Sequence, residues 1–146
     1  MVDVAGKDIT ARRAVASGSV RMARDTIARL SRNDTPKGEV LATARLAGIM
    51  AAKRTHDLIP LCHPLPLTNV AVHLDIDTAG LRVNVTAVAE AVARTGVEME
   101  ALTAVSVACL TLYDMLKGID REMVISEVKL LEKSGGKTGH YRREGP

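Results

Sequence analysis

Polar and apolar positions alternate along several stretches of this chain and give way twice to long apolar runs. From Leu67 to Asp77, Val70, Val72, Leu74 and Ile76 fall on one side and Ala71, His73, Asp75 and Asp77 on the other. A period of two is that of a half-buried β-strand. A short "TAG" turn follows. Residues 81–93 then alternate again, with Leu81, Val83 and Val85 opposite Arg82, Asn84 and Thr86, so the two segments predict a β-hairpin. Residues 12–22, "RRAVASGSVRM", are rich in valine and small residues and predict a first strand. Residues 122–136 predict a last strand, running into a glycine-rich, basic tail.

The apolar runs read as helices. Residues 24–32 predict a short one, stopped by a loop that Asn33, Pro36 and Gly38 punctuate. Residues 37–59 predict one long helix, with Asp34 or Thr35 as its cap, Pro36 near its first turn and Pro60 ending it. Val40, Leu41, Ala44, Ala47 and Ala51 share a face there, which Leu46, Ile49 and Met50 widen. A helix this apolar is buried on more than one side. Residues 99–120 predict a second long helix, closed at Gly118. The order is β-α-α-β-β-α-β. With one helix set aside it is the split βαβ arrangement, so the fold class is α+β: a ferredoxin-like antiparallel sheet with helices packed on one face. The apolar surplus on those helices points to subunit packing. Residues 1–146 read as a single domain, with 140–146 a flexible tail.

Composition narrows the function. The apolar fraction is 47%, yet the chain has no Phe, no Trp and two Tyr. The core is therefore aliphatic, and the aromatic platforms of single-strand binders are missing. A net charge of +3, spread along the chain, is not the basic stripe of a nucleic-acid partner. Two cysteines, Cys62 and Cys109, make neither a disulfide framework nor a cysteine-rich zinc site. The start lacks the apolar run of a signal peptide, and no stretch approaches the ~20 apolar residues of a membrane span. The expectation is a soluble protein of a reducing cytoplasm with no membrane partner.

Asp114 and Lys117 stand three apart on one helical face, after a run without charge. They are a helix salt bridge or an acid/base pair. Lysine is scarce, seven against thirteen arginines. Lys37, Lys53, Lys133 and Lys137 are solvated charges or, if they converge, a grip on a phosphate-bearing substrate. "GGKTG" near the end resembles a P-loop but fails the pattern, because Leu131 stands where its first glycine is required. Glu98 and Glu100 flank Met99 at a helix start, as surface charges, helix-terminal anions or acceptors for a guanine-like edge. In "LIPLCHPLPL", Cys62 and His63 are neighbours in an extended, proline-stiffened stretch. Neighbours in extended chain point to opposite sides. That sends Cys62 toward packing, leaves His63 to face a ligand, and argues against a nucleophile with its base. His56, Cys62 and His63 match no known zinc spacing, so no metal site is expected.

Three segments carry a resemblance: "KGEVLATARLAGIMAAKRTHDLIPLCHPLPLTNV", "TGVEMEALTAVSVACLTLYDMLK" and "VKLLEKSGGKTG". Together they resemble the MoaC family of molybdenum cofactor biosynthesis, from Met1 to about Gly139. Members of that family usually carry a short segment before the "MVDV" with which this sequence starts. The resemblance implies a ferredoxin-like hexamer, a trimer of dimers, with active sites at subunit interfaces. It implies a phosphorus–oxygen lyase that converts 3′,8-cyclo-7,8-dihydroguanosine 5′-triphosphate to cyclic pyranopterin monophosphate and pyrophosphate. No redox cofactor is implied, and magnesium is left open as a companion of the triphosphate. By the same resemblance Asp114 and Lys117 are catalytic. Leu61, Cys62, His63, Glu98, Met99, Glu100, Lys37, Lys53 and Lys133 bind substrate. The alternative is a non-catalytic hexamer of the same fold that binds nucleotides or serves as a scaffold.

Overall fold

The computed structural model describes residues 1–146. Its elements are β1 (Thr10–Arg21), α1 (Arg24–Ser31), α2 (Val40–Ala52), α3 (Thr55–Leu58), β2 (Leu67–Asp77), β3 (Arg82–Ala93), α4 (Glu98–Leu116), β4 (Val124–Ser134) and β5 (Tyr141–Arg142). The strands form one antiparallel sheet in the order β2-β3-β1-β4-β5. The first four are the interleaved βαβ units of the ferredoxin-like order, with α2 and α4 as the crossovers.

Alternation explains the sheet. Val83, Val85, Ala87, Ala89, Ala91 and Ala93 of β3 are all buried, as are Ala14, Ala16 and Val20 of β1. On the opposite face Arg13 bridges Glu90 and Glu132 at 3.4 and 3.0 Å. The inward residues are small, and that lets α4 come close. At Gly18 an added Cβ would lie 2.7 Å from the Val105 side chain. At Gly48, where α2 crosses α4, it would lie 2.8 Å from the Ala104 carbonyl oxygen. Lys37 contacts Asp114 before α2 begins, and Gly48 contacts Ala104 further along. The two helices therefore run antiparallel.

The structure departs from the sequence reading in four places. The helix expected over 37–59 starts at Val40, because Gly38 takes a φ of +81°. Its first turn has no side-chain cap, and Thr35 instead closes the preceding loop on the Gly38 carbonyl at 2.8 Å. That helix also breaks after Ala52. The Thr55 hydroxyl donates to the Ala51 and Ala52 carbonyls, competing with the helical ladder. The tail at 140–146 contains β5, which pairs with Glu132 and Lys133 of β4. Finally, α4 does reach the length and apolarity of a membrane span, but 56% of its apolar window is buried inside the protein. Its apolarity serves the core.

Candidate active site

Two polar clusters lie at opposite ends of α4. At its C-terminal end, Asp114 accepts hydrogen bonds from two ammonium groups. Lys117 Nζ reaches Oδ1 at 2.6 Å and Lys37 Nζ reaches Oδ2 at 2.8 Å. Lys37 arrives from the loop before α2, whose packing against α4 brings it there. The two hydrogen-bonded lysines pull the Asp114 carboxyl down to about 2. It is ionised at any working pH and makes a poor base.

The other end is a double hollow. The smaller part, about 230 Å³, is lined by Leu61, Cys62, His63, Leu65, Thr95, Gly96, Glu98, Met99 and Glu100. Glu100 is 3% exposed, one of its oxygens has no partner, and burial raises its carboxyl above the usual value. The other oxygen accepts the Cys62 thiol at 3.8 Å. Burial and the neighbouring Glu100 charge push that thiol up, which leaves it protonated and poorly nucleophilic. Cys62 and His63 share this wall. A turn closed by the Cys62 N–H on the Ile59 carbonyl precedes them, and His63 also lines a neighbouring apolar hollow with Pro64, Leu65, Pro66 and Val92, which Cys62 does not reach. The cysteine packed fully in the core is Cys109, whose thiol burial pushes up to about 11. No three His, Cys, Asp or Glu side chains converge as they would on a metal ion.

The larger part, about 650 Å³, shares Thr95, Gly96 and Glu98 with the smaller. A side chain at Gly96 would collide with the Glu98 carboxylate, so glycine there lets Glu98 fold into the junction. The charges are Lys7, Arg12, Arg94, Lys133 and Lys137 against Asp8 and Glu98. Arg12 is 9% exposed and donates only to carbonyls, those of Ala93 at 3.3 Å and Arg94 at 3.1 Å. Arg94 in turn holds the chain start through the Ala5 and Lys7 carbonyls at 2.9 and 2.7 Å. A buried guanidinium without a carboxylate, among further cations, leaves a positive charge that an anion could neutralise. Of the residues singled out from sequence, Lys133 lies here and Lys53, exposed at the C-terminal end of α2, lines neither hollow.

Glu98 and Asp114 are sixteen positions apart on one helix, roughly 24 Å at the helical rise. A single chain therefore cannot bring both clusters within hydrogen-bond reach of one reacting group.

The model of the MoaC family matches residues 1–136. This chain belongs to the MoaC family. A protein of Roseiflexus sp. (strain RS-1) is 62% identical over 141 residues, covering 97% of this chain and 89% of its own. One of Heliobacterium modesticaldum is 58% identical over 144 residues, covering 99% and 91%. One of Brucella ovis is 58% identical over 148 residues, covering 100% and 88%. All three are named cyclic pyranopterin monophosphate synthase. Sequence reasoning about this MoaC chain passed over Arg12, Arg94 and Lys7. One signal was available for Arg12, an arginine two positions before Ala14 on the core-facing side of β1.

Proposed function

We propose that this chain is a cyclic pyranopterin monophosphate synthase. It is a phosphorus–oxygen lyase that turns 3′,8-cyclo-7,8-dihydroguanosine 5′-triphosphate into cyclic pyranopterin monophosphate and pyrophosphate. The observation that carries this reading is the double hollow, in which a cation-rich cavity adjoins a smaller one with a buried carboxyl, across the shared Thr95, Gly96 and Glu98. The first suits a triphosphate. The second suits a purine-derived ring whose N–H groups need acceptors, which Glu98 and Glu100 supply.

In this scheme Arg12, Lys133 and the cations around them hold the phosphates and stabilise charge on the departing pyrophosphate. Lys117 carries protons during ring opening and rearrangement. Asp114, too weak a base for that task, aims Lys117 and Lys37. His63 and the protonated Cys62 shape the ring-binding wall. The two clusters are joined when Asp114, Lys117 and Lys37 come from a second copy of the chain, within a homohexamer built as a trimer of dimers. The exposed apolar residues Leu46, Met50 and Leu110 on α2 and α4 support such packing.

No redox cofactor enters the scheme. Magnesium would arrive with the triphosphate, since it prefers phosphates and water to an all-protein cage. The setting is a reducing cytoplasm, which keeps both cysteines as free thiols. The test is purified protein given the cyclised triphosphate, with and without chelator. Pyrophosphate and the pterin should appear in both. Folded protein that binds GTP but releases neither product would be the nucleotide-binding or scaffold protein instead.

A further inference from the structure

Three of the lysines around the two clusters are held in different ways. Lys37 and Lys117 each contact the Asp114 carboxylate. Lys133 has no carboxylate partner, and its ammonium is paired with the hydroxyl of Thr138. A carboxylate aims a lysine and cancels most of its field at a distance. A hydroxyl aims it and leaves the charge intact.

The segment carrying Thr138 is pinned at both ends. Gly135 and Gly136 take φ values of +98° and +77° and lie against the Ala11 carbonyl and the Arg12 guanidinium, so that any side chain there would collide. Beyond them, the Gly139 N–H bonds the Gly136 carbonyl at 3.1 Å, and the Arg143 N–H bonds the Leu131 carbonyl at 2.8 Å. Between the pins, Lys137 and Thr138 line the cation-rich cavity. The motif that fails as a P-loop is thus a strap laid over a buried arginine.

We propose that Thr138 is a positioning residue for phosphate recognition: it aims Lys133 into the cavity without neutralising it, and the glycine-pinned strap fixes that aim. The ligand is the pyrophosphate end of the triphosphate, and the inference rests on the phosphate reading above. Thr138 is exposed, so its substitution leaves the core intact.

The experiment is calorimetric titration of inorganic pyrophosphate into the whole protein at fixed ionic strength, for wild type, T138S, T138V and T138D. Wild type should bind. T138S, which keeps the hydroxyl, should stay within about twofold of wild type. T138V should lose about tenfold, the effect of one hydrogen bond to a charged group. T138D should lose more than T138V, although it still holds Lys133. The KM for the cyclised triphosphate should rise in the same order. Wild type that binds no pyrophosphate overturns the inference, as does T138V binding like wild type or T138D binding more tightly than T138V. Wild type that binds pyrophosphate but makes no pterin overturns the enzyme assignment alone.

Discussion

Asp114 holds two ammonium groups on one carboxylate, and this decides what acid does to the C-terminal cluster. Its carboxyl is lowered from 3.8 to about 2, so the ion pairs persist until the pH falls through about 2. Asp114 therefore contributes no acid limb to the rate at ordinary pH. Asp114→Asn should lower kcat across the whole pH range instead of shifting the profile, as a pH series of initial rates would show. Lys117→Ala should lower kcat by about 10²–10⁴-fold, the usual worth of a positioned proton donor, with the assembly unchanged by size-exclusion chromatography. Glu100 moves the other way. Burial raises its folded value above the usual 4.5, so the folded state holds the proton more tightly than the unfolded chain. Its contribution to stability is best below that ordinary value and is lost as pH rises through the folded one. Glu100→Gln should match wild type in thermal midpoint at pH 4 and exceed it at pH 8, while losing turnover. A midpoint difference equal at both pH values would show that Glu100 does not titrate in this way. The carboxyls and lysines involved were readable as residues of interest. The state of each was not, because it depends on partners brought in from distant elements.

The packing of α2 on α4 depends on Gly48, where the backbones come too close for a larger residue. Gly48→Val should cost about 1–3 kcal/mol by overpacking, seen as a lower denaturant midpoint at unchanged slope. The hairpin of β2 and β3 was legible almost to the residue, since a half-buried strand writes its inward face into every second position. The helical layer was legible as apolar runs, but its ends were not. Residues 53 and 54 hold neither glycine nor proline, and the break there comes from a buried threonine hydroxyl claiming two carbonyls. The strand at Tyr141–Arg142 has no local signal at all, because its stability lies in pairing with β4.

At the scale of the molecule, the separation of two clusters along α4 sets a requirement on assembly. Lys117→Ala and Lys133→Ala chains, the first slow in turnover and the second weak in substrate binding, should regain about a quarter of wild-type sites when unfolded and refolded together in equal amounts, if each site takes its two ends from different chains of a symmetric pair. No recovery in a correctly sized assembly would place both ends in one chain. The distance between the clusters was not legible in the residues, which name the members of a site and not where the fold puts them. The cation-rich cavity has a cost of its own. Lys7, Arg12, Arg94, Lys133 and Lys137 repel one another, and only Asp8 and Glu98 offset them. Simple salt should therefore raise the melting temperature of this protein, against the habit of proteins held together by surface ion pairs. Millimolar pyrophosphate should abolish that sensitivity by supplying the missing negative charge and stabilising the fold through its own binding.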